Sequence, residues 1–172
     1  ARERYFDMMS DGGWTGYSWN TELFPNPQEF LKNLHDDGFK VTLNLHPATG
    51  IRFFEDCYNE FARFMGDDPK EKKHYQFDIT DKKFIEAYFS IVHKPLQDMG
   101  VDFWWIDWQQ GNKTATPGLD PLWALNHYHS LDIARDGKRR PLILSRFAGA
   151  GSHRYPLGFS GDTWVVWNSL RL

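Results

Sequence analysis

Two apolar patterns alternate along this chain: stretches with apolar residues three and four apart, and short unbroken apolar runs. The first reads as helix packed on one face, the second as strand buried on both faces. Asn26-Pro27-Gln28-Glu29 opens a helix, with Asn as N-cap, Pro at the first helical position and Glu closing a capping box. Phe30, Leu31 and Leu34 carry its apolar stripe and Gly38 ends it. A strand over 40–45 follows and stops at His46-Pro47, because proline cannot extend the ladder.

The same order recurs. A helical pattern covers 51–65 and a polar loop 67–74. A second long helix opens at Thr80-Asp81, presents Phe84, Ile85, Tyr88, Val92, Leu96 and Met99 on one face, and is expected to kink at Pro95. After Gly100 the run Phe103-Trp-Trp-Ile106 predicts the central strand, delivering Asp107. Asp120-Pro121 starts a helix to about Asp136, and Gly137 ends it. Pro141 to Ser145 predicts a third strand delivering Arg146, and Leu157 to Gly161 a short fourth delivering Asp162. Weaker patterns predict a strand end at 5–9 and the start of a helix at 163–172. Between the first of these and the Asn26 helix, 11–20 reads as a loop rich in Gly, Trp and Tyr, of the kind that lines a site.

Helix, glycine, buried strand, ionisable residue is the grammar of an α/β fold with a parallel sheet and right-handed crossovers. Strand ends of one sense share one rim, so His46, Asp107, Arg146 and Asp162 are expected to converge there, as on the active face of a (β/α)8 barrel. The competing open doubly wound sheet lacks its usual phosphate-binding glycine loop here. Four to five βα units of the eight are present, and a closed barrel usually needs ~250 residues. The 172 residues are therefore expected to form a partial barrel without the first and last strands, whose open edges need the rest of a parent chain or self-association to cover them.

Composition narrows the chemistry. With 41% hydrophobic residues the chain can bury one sizeable core. A formal net charge of -3 gives no reason to expect nucleic acid or an anionic membrane surface as partner. No apolar run is long enough to span a bilayer. The single Cys57 excludes an internal disulfide and a thiolate metal cluster. Eight Trp and fourteen Phe offer flat faces that suit sugars as well as core packing. Two carboxylates on neighbouring strand ends with an arginine between them suit glycoside hydrolysis, one acid as nucleophile and one as acid/base. An adjacent arginine keeps the nucleophile ionised, whereas the acid/base must hold its proton. A metal hydrolase built on His46, Asp107 and His153 is a weaker alternative. His127 and His129 point ~200° apart on a helix and do not share an ion. No cofactor is called for.

Residues in two motifs carry a resemblance. Phe103-Trp-Trp-Ile-Asp107 resembles the nucleophile strand of glycoside hydrolase family 31, the α-glucosidase-like enzymes. Arg146-Phe-Ala-Gly-Ala-Gly-Ser-His-Arg-Tyr155 with Gly158-Phe-Ser-Gly-Asp162 resembles that family's acid/base segment, and the stretch from Trp19 to Pro47 is also similar. The resemblance implies a retaining α-glycoside hydrolase on a (β/α)8 barrel, with this chain as its middle portion. Asp107 would be the nucleophile, Asp162 the acid/base, and Arg146 a hydrogen-bond donor to the sugar. Trp105, Trp108 and Phe159 would shape the sugar pocket, with His46, Gln109 and His153 completing the substrate-binding set. Two departures stand out: His46 replaces the usual sugar-binding Asp, and Trp108-Gln-Gln-Gly111 replaces Met-Asn-Glu. They admit an α-galactoside or an N-acetylated α-sugar as substrate beside an α-glucoside. A carbohydrate-binding segment without turnover is the remaining alternative.

Overall fold

The structure, a computed structural model, describes residues 15–107, 114–146, 151–155, 157–159 and 161–171, the side chains of Ser152 and Phe159 excepted. The strand expected at 5–9 lies outside them. Four strands, β1 (Thr42–Leu45), β2 (Phe103–Ile106), β3 (Ile143–Arg146) and β4 (Leu157–Phe159), form one sheet in the order β1-β2-β3-β4. All neighbours pair in parallel. Sequential parallel strands with helices between them are the repeating unit of a (β/α)8 barrel, of which this is a part.

The helices begin where local chemistry requires. In α1 (Pro27–Asp36) the Asn26 side chain accepts from the Glu29 N–H at 3.2 Å and donates to the Glu29 carboxylate at 2.9 Å. Asp81 caps α3 (Lys82–Ala87) by accepting from Lys83 and Phe84, and Asp120 caps α5 (Pro121–Ile133) by accepting from Leu122. The helix expected from 51 starts only with α2 (Tyr58–Met65). Tertiary contacts win before that point: Ile51 and Tyr75 pair as an antiparallel bridge, and Glu55 turns inward to accept from the Ser18 and Thr15 hydroxyls.

Pro95 does not break its helix. Lacking an N–H for the carbonyl four residues back, it follows a π-helical turn over Tyr88–His93, after which α4 (Lys94–Met99) continues. His93 Nδ1 donates to the Tyr88 carbonyl at 2.7 Å, and its ring packs edge-on against Trp104.

Helices cover one face of the sheet. Leu45, Trp104, Ile106, Ile143 and Ser145 are buried there with the core residues Phe61, Tyr88, Val92 and Leu125. Trp105, one residue on, is only half-buried, so the Trp104–Trp105 pair divides between the helix layer and the opposite, barrel-lumen face. At the N-terminal rim, Asp102 accepts from the Val41 N–H and pairs with His35, tying the α1–β1 unit to β2. Beyond β4, the expected helix start at 163 is irregular chain with a bend at 165–166, followed by a 3-10 turn at Trp167–Arg171, and Trp164, Val165, Trp167 and Leu170 are exposed. No described helix is long and apolar enough to cross a membrane.

Candidate active site

Side chains alternate across a strand, and the register decides which strands' residues share a face. Asn44 pairs with Trp105, Trp105 with Leu144, and Arg146 with Phe159. Asn44, Trp105 and Leu144 thus stand on the lumen face, and two residues on from Trp105 and Leu144 the same face presents Asp107 and Arg146 at the C-terminal rim. The ladder carries on past β2, since Asp107 N–H donates to the Leu45 carbonyl at 2.9 Å. His46, Asp107 and Arg146 are all buried at this rim.

Arg146 is the hub. Its Nη1 donates to Asp107 Oδ1 at 2.9 Å and lies 3.7 Å from Asp162 Oδ1. One cationic nitrogen therefore bridges the two acids, and their Oδ1 atoms can be no farther apart than those two distances laid end to end. The two halves differ in solvent. The Arg146–Asp107 pair is buried, whereas the Asp162 side chain is 90% exposed. His46 Nε2 approaches the other oxygen, Asp107 Oδ2, at 3.9 Å.

Asp162 reaches the hub because of what precedes it. Gly161 has φ +90°, and a Cβ there would fall 2.8 Å from Arg146 Nε and 2.9 Å from Nη2. The chain passes flush against the guanidinium in a left-handed backbone conformation that favours glycine.

The loop over the rim is tied down by polar contacts. Thr15 carbonyl accepts from the His46 N–H at 3.1 Å, Ser18 Oγ donates to Glu55 Oε2 at 2.7 Å, and Asp56 N–H donates to Ser18 Oγ at 3.0 Å. Tyr17 and Trp19 of this loop are buried.

Of the residues singled out from sequence, His46, Asp107, Arg146 and Asp162 come together. Trp105 is half-buried on the lumen face behind Asp107. His153 is exposed on the 3-10 turn Ser152–Arg154, and no described contact joins it to Asp107. The backbone of Phe159 pairs with Arg146, and its side chain lies outside the described residues. Trp108 and Gln109 lie outside the described residues. Among the described residues no three His, Cys, Asp or Glu gather as a metal would need. Sequence reading missed Asn44, whose Nδ2 donates to Asp107 Oδ2 at 3.3 Å. Its signal was an amide inside an apolar strand, two residues before His46 and so on the same face.

The model of the glycosyl hydrolases family 31 TIM-barrel domain matches residues 4–172. An alpha-xylosidase of Saccharolobus solfataricus is 24% identical over 92% of this chain and 24% of its own length. The human neutral alpha-glucosidase C is 23% identical over 98% of this chain and 22% of its own length. The chain thus spans about a quarter of the curated relatives it matches. Among solved structures, a soil-metagenome alpha-xylosidase complexed with xylose superposes with a TM-score of 0.64 at 17% identity, covering 92% of this chain and 27% of that one. A Flavobacterium johnsoniae dextranase complexed with glucose gives 0.55 at 22% identity, covering 80% and 21%.

Proposed function

The chain belongs to glycosyl hydrolase family 31, and from that premise we propose that it is the middle portion of a (β/α)8 catalytic domain that hydrolyses α-glycosides with retention. One observation carries the reading: the Arg146 guanidinium, at the end of β3, reaches both Asp107 after β2 and Asp162 after β4. Two acids within reach of one nitrogen are compatible with the ~5–5.5 Å separation of retaining enzymes.

In this reading an Asp107 oxygen attacks the anomeric carbon and forms a glycosyl ester as the glycosidic bond breaks. Asp162 gives its proton to the departing oxygen, then takes one from the water that hydrolyses the ester. Burial beside Arg146 suits Asp107 to the ionised role, because an adjacent cation favours the charged carboxylate. The solvent-facing Asp162 suits proton exchange with water and leaving group. Trp105, His46, Trp108, Gln109, Phe159 and His153 are proposed to contact the sugar.

The names of the relatives point to α-xylosides and α-glucosides as substrates. An α-galactoside or N-acetylated α-sugar is the competing choice, favoured by His46 at the rim. As a portion of the domain, this stretch alone is expected to bind sugar with little turnover. The rest of a parent chain, or a second copy, is proposed to cover the open sheet edges.

A panel of aryl α-glycosides offered to the complete domain, with the released anomer followed by NMR, tests the reading. Release of the α-anomer first, a glycosyl adduct on Asp107 with a slow fluorosugar substrate, and loss of turnover in Asp107→Asn are expected. Release of the β-anomer, or turnover surviving Asp107→Asn, defeats it.

A further inference from the structure

We infer that Asn44 is a positioning residue for Asp107, holding the carboxylate from the side opposite Arg146; this rests on the reading of Asp107 as nucleophile. A carboxylate rotates easily about its last bond, since that torsion is broad and two-fold. One hydrogen bond leaves it swinging about the held oxygen. Here the two oxygens are gripped from the two neighbouring strands: Oδ1 by Arg146 Nη1 of β3 at 2.9 Å, and Oδ2 by Asn44 Nδ2 of β1 at 3.3 Å. Because β2 lies between β1 and β3, the grips come from opposite sides and fix the plane of the carboxylate.

Both grips are themselves backed by a glycine with a left-handed backbone. Gly161 presses on the guanidinium of Arg146. Gly16, at φ +81°, lies so close to Asn44 that a Cβ would fall 2.1 Å from the Asn44 carbonyl oxygen. The Thr15 carbonyl, accepting from His46 N–H, ties the same loop to the next residue but one. The strand therefore cannot retreat from Asp107 without moving the rim loop, and the loop is held in turn by Glu55.

An amide does here what neither a hydrocarbon nor a second cation would. Its N–H favours the ionised carboxylate before attack and again as the glycosyl ester breaks and Asp107 leaves. Being neutral, it adds no charge that would hold the carboxylate back from the anomeric carbon. Asn44 acts through Asp107 and needs no contact with the sugar.

The test uses the complete domain with Asn44→Leu, which keeps the branched shape and removes the donor, and Asn44→Ala, which cannot clash. Expected in both is a roughly 10- to 100-fold fall in kcat/KM, carried by kcat, since a hydrogen bond to a charged group is lost. The acidic limb of the pH profile should move up by as much as about one unit, because the ionised form has lost a donor. The unfolding midpoint should stay near wild type. If both variants keep wild-type kcat/KM and an unmoved acidic limb while Asp107→Asn is inactive, Asn44 has no positioning role and the nucleophile reading stands. A fall in activity with an unmoved limb and a lowered unfolding midpoint overturns it as well, as plain loss of packing. If Asp107→Asn itself turns over substrate, both readings fall.

Discussion

Gly161 lies against the guanidinium of Arg146 so closely that a single methyl carbon would overlap it at 2.8 Å. A residue with no side chain thus decides where a charged one sits. The consequences reach both acids, because the same guanidinium is bonded to Asp107 and near Asp162.

Gly161→Ala should displace Arg146 and strain a backbone that sits at φ +90°. We expect kcat/KM to fall on the order of 100-fold, as for other misplacements of about an ångström. Stability should drop by about 1–2 kcal/mol from the left-handed backbone. Kinetics and thermal unfolding of the same variant check the two separately, and wild-type kcat/KM would mean the close approach has no part in the chemistry.

Asp162→Asn should discriminate between leaving groups. Substrates that must be protonated to depart lose most of their rate, whereas activated aryl α-glycosides lose little in bond cleavage. Comparing alkyl with nitrophenyl glycosides measures this. An equal loss on both would remove Asp162 from the acid role.

His93 predicts a particular pH dependence of stability. Burial holds its imidazole down at about 3, against ~6.5 in an unfolded chain. Between those values the unfolded state binds the extra proton, so stability is complete above ~6.5 and is lost as pH falls toward the folded value. His129, buried against it, is depressed in the same sense. His93→Gln keeps a donor for the Tyr88 carbonyl without titrating. It should flatten the slope by as much as ~1.4 kcal/mol per pH unit, read from urea midpoints between pH 4 and pH 7.

Asp102, at the N-terminal rim of the sheet, contributes in the same sense but at lower pH. Burial would raise its carboxyl, but the Val41 N–H, the His35 ring and the Lys40 ammonium outweigh that and hold it below the usual range. Its stabilisation is present above the unfolded value of ~3.9 and disappears as pH falls through the lower folded one. Asp102→Asn should therefore cost about 1–2 kcal/mol at pH 7 and progressively less as the pH falls below the carboxylate range. A cost that does not change with pH would show that the charge is irrelevant there.

Much of the architecture was legible because its causes are local. Asn26, Asp81 and Asp120 cap helices through side chains that reach only two or three residues ahead. The unbroken run Phe103–Ile106 has no face to give to water, so it is the central strand of a parallel sheet, and Asp107 follows at its end. The reading of 51–65 as one helix failed where distant groups intervened: Tyr75 claims Ile51, and the hydroxyls of Thr15 and Ser18 claim Glu55.

By itself, then, the order of residues determined the alternation of helix and strand, the parallel sheet, and which ionisable groups stand at its C-terminal rim. These follow from hydrophobic period, caps and chain connectivity, which act over a few residues. Only the tertiary structure decided the rest. It set which oxygen of Asp107 meets Arg146 and which meets Asn44, placed Trp104 in the helix layer and Trp105 toward the lumen, and pressed Gly16 and Gly161 against the residues that grip the carboxylate. Those relations depend on strand register and on loops closing across long separations, and a one-residue slip in register would exchange the two faces while leaving every local pattern intact.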